Sequence, residues 1–324
     1  MIKATASILA LAAFFIFVPK ATACFDLTVR DAAFDQPRDM HLLGVMAAAD
    51  DPAGEKIYLQ LEQWLNASGQ DLNIELNRVD TDDPDTPWED YGIPSAPPVL
   101  PVVVLACRGS SSLRRPNFVV DHWEPGPKNE ALEVLKSSPA REAIRGEVGH
   151  RLAVLVYVPG NDNQDNSAAD VIDSVVRTWS EREPLGISVV QVERSDKRER
   201  LLLSFMGVRR TGPDWVGVVF GQGKLMPPLR GQEITEESLN TMLETLVGQC
   251  SCLQSPTALG IDIPMDWNQA CDESVVALRS SDILTGSVAG TWGILATTLW
   301  ALGGLVILVG LATAWIMRSK NRQV

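Results

Sequence analysis

The sequence predicts an α/β protein with two domains and one carboxy-terminal transmembrane helix. Three observations predict this class. Patterns typical of strands and helices alternate between residues 40 and 248, the same order β-α-β-α-β-β-α occurs twice, and a long uncharged apolar run lies near the end of the chain. The 324 residues leave room for two ordinary domains between the two ends.

Residues 1–23 have the pattern of an export signal. Lys3 is followed by an apolar stretch up to Val18, and the small residues "ATA" precede Cys24. Pro19 and the small residues favour cleavage over an uncleaved anchor. Lipidation of Cys24 is a further alternative, although a larger aliphatic residue usually stands where this chain has Ala21. We therefore expect the body of the protein in a periplasm or outside the cell.

The opposite end predicts a membrane anchor over residues 289–317. The run from 292 to 317 is uncharged and exceeds the roughly 20 residues that cross a bilayer. Trp292 and Trp315 stand near its boundaries, where indole rings prefer the interface. The basic tail 318–324 then belongs on the cytoplasmic side.

The first copy of the repeat begins with an apolar strand and an amphipathic helix. Ile57, Leu61, Trp64 and Leu65 share one face of that helix. The segments of this copy are a strand at 40–47, a helix at 55–68, a strand at 72–80, strand-containing segments at 91–109 and 117–126, and a helix at 128–148 that Pro139 interrupts.

The second copy follows the same order. Its segments are a strand at 151–160, a helix at 167–183, a strand at 186–196, a short helix at 197–208, two strands within 212–231 and a last helix at 234–248. The turn "GQGK" joins the two strands. Thr235 is expected to cap the last helix and Gly248 to end it.

This order resembles the thioredoxin fold. In "YGIPSAP" Pro97 follows Gly92-Ile93, and in "MGVRRTGP" Pro213 follows Gly207-Val208. The resemblance implies two domains, 24–149 and 150–249, each a central mixed sheet flanked by helices. It also implies cis-prolines at Pro97 and Pro213, where an extended peptide could dock. The alternative is a pair of unrelated α/β units whose prolines only shape turns.

The resemblance does not carry the activity over. Thioredoxin chemistry needs Cys-x-x-Cys where the first strand meets its helix, and neither 45–55 nor 156–167 contains a cysteine. The cluster "NDNQDN" at 161–166 offers oxygen ligands for Ca²⁺ but lacks the glycine and terminal glutamate of a calcium loop. No catalytic constellation was found, and neither a cofactor nor a metal is predicted.

Five cysteines, Cys24, Cys107, Cys250, Cys252 and Cys271, stay compatible with several interpretations. A disulfide from Cys271 to Cys250 or Cys252 would close a loop within a predicted stalk, 250–288, and would stabilise it by about 3 kcal/mol. A Cys24–Cys107 link is also possible. The alternatives are a soft-metal thiolate site and a redox-active Cys-x-Cys.

The negative net charge of the chain argues against one class of function. With 28 basic and 41 acidic residues the chain carries −13, which repels phosphate backbones and argues against nucleic-acid binding. The sequence predicts a membrane-anchored, non-catalytic interaction or assembly module with a protein partner in or near the same membrane, accessory to a larger complex. The alternative is a thiol-disulfide or soft-metal-handling protein that uses Cys250, Cys252 and Cys271.

Overall fold

The computed structural model describes residues 27–68, 71–97, 99–109, 116–161, 167–249 and 256–279. The predicted export signal, membrane anchor and tail lie outside these ranges. The chain divides into two units, Met1–Asp272 and Glu273–Val324. The described part of the second unit is the end of one helix. Within the described ranges, no helix combines the length and the apolar character that a membrane crossing requires.

The first sheet has four strands in the order β2-β1-β3-β4. Its strands are β1 (His41–Ala47), β2 (Ile74–Asp80), β3 (Val102–Cys107) and β4 (Phe118–Trp123). β1 runs parallel to β2, whereas β3 is antiparallel to both β1 and β4. Every residue of β1 and β3, the two central strands, is buried.

The helices of this half follow the predicted pattern. They are α2 (Pro52–Ser68), α3 (Asn129–Lys136) and α4 (Pro139–Val148), with a short 3₁₀ helix at Trp88–Tyr91. Pro139 does interrupt the last helical segment, since it begins α4 as its first residue. The preceding Ser138 caps α4 by accepting a hydrogen bond from the Arg141 N–H.

The second sheet repeats the arrangement with additional edge pairing. Its strands are β5 (Ala153–Val158), β6 (Ile187–Gln191), β7 (Trp215–Phe220), β8 (Lys224–Leu225), β9 (Leu229–Arg230) and β10 (Ile261–Asp262). The order is β6-β5-β7-β8-β10, and β9 also pairs with β7. β5 is parallel to β6 and antiparallel to β7, which is antiparallel to β8.

The remaining helices lie around the second sheet and at the end of the described chain. They are α1 (Val29–Ala33), α5 (Ser167–Arg182), α6 (Arg200–Met206), α7 (Glu236–Val247), α8 (Pro256–Leu259) and α9 (Gln269–Arg279), with 3₁₀ turns at Lys197–Glu199 and Gly231–Glu233. Both sheets share the order second-first-third-fourth strand, with the third strand antiparallel to the others. This is the thioredoxin-like arrangement, and it confirms the predicted tandem fold.

The predicted boundary of the first domain needs one correction at its start. Val29, Ala32 and Ala33 of α1 belong to the hydrophobic core of the second sheet. Arg30 is 2% exposed, and its guanidinium donates to the carbonyls of Gly149 and Arg151 at 2.9 Å each. The segment was assigned to the first domain because it precedes that domain in the chain, but its apolar face packs on the second.

The predicted stalk at 250–288 is wrong for residues 256–272. β10 extends the second sheet by pairing with β8. Asp266 forms a bridge with Leu72, and the Trp267 N–H donates to the Asp71 carbonyl at 3.0 Å. The alternation in "IDIPMDW" reflects this, because its apolar side chains are buried. The segment therefore connects both halves within one compact unit.

The predicted cap of α7 is confirmed and supports a stability prediction. Thr235 Oγ1 accepts a hydrogen bond from the Ser238 N–H at 3.1 Å. Thr235→Ala is expected to lower the free energy of unfolding by about 1 kcal/mol in urea titrations, because the N–H loses its partner. Thr241→Ala is the matched control within the same helix. If both variants lose the same stability, the cap is not the cause.

Candidate binding site

Three loops meet at one edge of the second sheet. Residues 159–161 follow β5, residues 192–197 follow β6, and residues 207–214 lead into β7. The carboxyl ends of parallel strands share an edge, where α/β sheets commonly bind ligands. Here the loops frame an open cleft of about 580 Å³. In the family that this fold resembles, the dithiol would stand at this edge.

Arg194 ties the three loops together. Its Nε donates to the Pro159 carbonyl at 3.2 Å, its Nη1 to the Arg209 carbonyl at 2.6 Å, and its Nη2 to the Pro213 carbonyl at 2.7 Å. One planar guanidinium therefore donates to a carbonyl on each side of the cleft. These hydrogen bonds hold together the backbone that frames the cleft.

Asp214 connects the start of β7 to the end of β5 at the same edge. Its Oδ1 accepts hydrogen bonds from the Tyr157 hydroxyl and from the Gly160 N–H, both at 2.9 Å. Burial, together with the hydrogen bond to Asp214 and its charge, raises the pKa of Tyr157 to about 12. Tyr157 is therefore a protonated donor at neutral pH and not a nucleophile.

Basic side chains outnumber acidic ones around the cleft. Among the described residues, the lining has the bases Arg194, Lys197, Arg200, Arg209 and Arg210 and the acids Glu193 and Asp196. Arg200 pairs with Asp121, and Asp196 with Arg198. In the part of the chain that the structure describes, no ion pair involves Lys197, Arg209 or Arg210, and all three are exposed. The cleft is thus a local cationic site on an acidic chain.

At the corresponding edge of the first sheet, a different arginine, Arg78, donates hydrogen bonds to the backbone. Arg78 of β2 donates to the carbonyls of Ala48 and Ala49 at 3.3 and 2.7 Å. It also forms an ion pair with Glu55 at 2.9 Å, so its charge is neutralised locally. Each half therefore has an arginine bonded to the carbonyls that follow its first strand.

The prediction of cis-prolines at Pro97 and Pro213 is wrong. The cis peptide bonds of the described chain are Leu100–Pro101 and Glu124–Pro125. Pro101 directly precedes β3, which begins at Val102, and therefore has the position that the sequence interpretation gave to Pro97. Pro213 lies at the cleft, where its carbonyl accepts from Arg194, and Gly212 with φ 142° supplies the turn before it.

The cysteines do not line the cleft. Cys107 is buried in β3, and Cys271 lies in the first turn of α9, where its Sγ donates to Asn268 Oδ1 at 3.3 Å. Cys24, Cys250 and Cys252 lie outside the described residues, as does the 162–166 segment of the calcium alternative. The disulfide, soft-metal and redox interpretations therefore stay predictions. Among the described side chains, no group of three His, Cys, Asp or Glu could hold a metal ion.

The sequence interpretation did not predict the cleft, although two runs of basic residues indicate it. The runs "ERSDKRER" and "VRR" concentrate basic residues after β6 and before β7. We interpreted these segments only as structural elements, because their proximity depends on the strand order. Once β5, β6 and β7 are neighbours, both runs lie at the same edge.

Comparison with known proteins does not place the chain in a family. No family model and no curated protein matches the sequence. Among solved structures, the NTD_N/C domain of alkylhydroperoxide reductase AhpF from Enterococcus faecalis is similar at 14% identity, with a TM-score of 0.22, over 67% of this chain and 95% of that one. The first two thioredoxin domains of Eps1p from Saccharomyces cerevisiae are similar at 11% identity, with a TM-score of 0.23, over 64% and 92%. The fold assignment rests on the strand order and register, and not on these likenesses.

Proposed function

We propose that this chain is a non-catalytic interaction module, and that the cationic cleft at the edge of its second sheet receives a protein partner. The observation that carries the proposal is that an arginine, Arg194, holds together the loops at an edge whose described residues include no cysteine. Arg194 uses its donors on three carbonyls of the surrounding loops. An edge that is reactive in thioredoxins is here organised for binding.

The chemistry of the cleft supports binding more than reaction. Its described lining contains neither cysteine nor histidine. Tyr157, beside it, keeps its proton because burial and Asp214 raise its pKa. Lys197, Arg209 and Arg210 can attract and orient an anionic group.

The proposal includes the setting that the sequence predicts. Residues 1–23 would direct export, residues 289–317 would anchor the chain, and the body would lie outside the cytoplasm. A partner in or near the same membrane, such as a larger complex, would then be within reach of the module. The support for this setting is the sequence pattern of the two ends.

The test is recovery of a partner from native membranes. Full-length tagged chain, extracted in mild detergent, is expected to copurify with a defined membrane-associated protein. Arg194→Met is expected to reduce that recovery severalfold, because the loops around the cleft lose their common donor. Arg177→Met, at an exposed position of α5, is the matched control. Recovery of the wild-type chain alone would contradict the proposal, and equal losses in both variants would remove the cleft from it.

A further inference from the structure

We infer that the cleft binds a carboxylate-rich peptide segment, with Lys197, Arg209 and Arg210 as the residues that contact its acidic side chains. This inference rests on the proposed function and specifies the chemistry of the partner. Three observations carry it. The described ion pairs do not involve these cations, hydrogen bonds hold the backbone of their loops, and the rest of the lining includes apolar side chains.

The three cations are available to a ligand. Within the described ranges none of them is in an ion pair, whereas Arg200 pairs with Asp121 and Arg194 is bonded to carbonyls. They lie on two loops that face the same cleft. Arginine presents a planar fork that matches a carboxylate in bidentate geometry, and lysine adds a flexible point charge.

The backbone that carries these side chains is held by hydrogen bonds within the chain. Gly207, with φ 76°, ends α6 in the left-handed conformation and sends the chain towards Arg209. The carbonyl of Arg209 is held by Arg194 at 2.6 Å. Lys197 begins a 3₁₀ turn that Asp196 caps through the Arg198 N–H at 2.9 Å. Preorganisation of this kind lowers the ordering cost of binding.

The remaining lining points to a peptide and not to a bare anion. Pro159, Leu203 and Val208 contribute apolar surface to the same cleft. Its volume of about 580 Å³ is within the usual range for ligand sites of roughly 300–1,000 Å³. An occupant that combines acidic and aliphatic side chains matches both kinds of surface. Nucleic acid fits poorly, because the chain as a whole carries −13.

The direct test is a binding titration on the full chain in detergent. The probe is a short fluorescent peptide of alternating Glu and Leu, compared with the Gln-Leu and Lys-Leu versions, by fluorescence anisotropy at low and high salt. We expect the Glu-Leu peptide to bind best and to weaken as salt rises. Arg209→Gln with Arg210→Gln is expected to weaken it about tenfold or more.

The matched control removes two other arginines. Arg177→Gln with Arg230→Gln changes the net charge equally at exposed positions outside the cleft, and is expected to change affinity less than twofold. Equal losses in the two double variants, equal binding of the Gln-Leu peptide, or tighter binding of an oligonucleotide or of inorganic phosphate would overturn the inference.

Membrane copurification separates the two proposals. If the partner stays bound to the Arg209→Gln, Arg210→Gln chain, the acidic-peptide site is wrong and the proposed interaction module stands. If the wild-type chain recovers no partner, the proposed function fails whatever the titration shows.

Discussion

Replacing Lys224 with methionine is expected to lower the free energy of unfolding by about 3–5 kcal/mol at neutral pH. Lys224 begins β8 and is 2% exposed. Its Nζ lies 2.8 Å from Asp39 Oδ2 and 3.0 Å from Asp262 Oδ2. Methionine preserves the length and apolar stem but removes the cation. The two carboxylates would then face each other without compensation, and that of Asp262 is itself 2% exposed.

The measurement is equilibrium unfolding in urea, with two comparisons. Lys56→Met, at an exposed position of α2, is expected to change stability by no more than about 0.5 kcal/mol. Adding Asp262→Asn to Lys224→Met should restore part of the loss, because the most deeply buried uncompensated charge is removed. A loss in Lys224→Met no larger than in Lys56→Met would show that the cation is not needed.

The effect is large because this cluster is where the two halves meet. The Asp39 N–H donates to Asp262 Oδ2 at 2.7 Å, and the Asp262 N–H donates to Asp39 Oδ2 at 3.0 Å. Arg38 adds a bond to the Met265 carbonyl at 2.8 Å. Each carboxylate thus accepts from the other residue's backbone while both contact Lys224. The segment before β1 and the segment around β10 are held together by charge-assisted hydrogen bonds.

A second connection lies between the first half and the cleft. Glu199 is 3% exposed and accepts from Ser138 Oγ at 2.7 Å and from the Ala140 N–H at 2.8 Å, at the start of α4. Its neighbour Arg200 contributes to the cleft lining. The position of the cleft therefore depends on contacts from both halves.

The parts of the fold that local patterns encode were predictable. The apolar runs of β1 and β3 predict buried central strands, and Thr235 with Ser238 predicts the start of α7. Long-range polar contacts were not predictable. The sequence gives no sign that Asp39 and Asp262 are neighbours; the pairing of β10 with β8 brings them together, with Asp262 buried and Asp39 half-buried. The cleft was missed for the same reason, because its arginines converge only after the strands are ordered.

Lowering the pH from 6.5 to 4 is expected to lower the free energy of unfolding by about 3 kcal/mol, because His41 stays neutral in the folded chain. The residue is fully buried in β1. Its Nε2–H donates to the Asp262 carbonyl at 2.7 Å, and its ring meets Phe205 edge-on with centroids 5.9 Å apart. Burial lowers its pKa to about 4, although the hydrogen bond to Asp262 and the charge of Asp39 oppose this, while Arg38 and Lys224 add to it.

The sign follows from which state binds the proton. An unfolded histidine titrates near pH 6.5, so between pH 6.5 and 4 the unfolded chain takes up a proton that the folded chain excludes. Stability therefore falls as the pH falls, by about 1.4 kcal/mol for each unit. Above pH 6.5 both states hold a neutral imidazole, and this contribution disappears.

His41→Gln separates this contribution from that of its neighbours. Glutamine retains an N–H donor for the Asp262 carbonyl but does not titrate. Burial raises the pKa of Asp262, whose protonation acts in the opposite direction. The diagnostic quantity is therefore the difference in slope between the two proteins in urea titrations across pH 6.5 to 4. We expect a shallower fall in His41→Gln and an unchanged slope in the control His150→Gln, at an exposed position. Equal slopes in wild type and His41→Gln would show that the imidazole takes up its proton without unfolding, and that the junction between the two halves admits a charge.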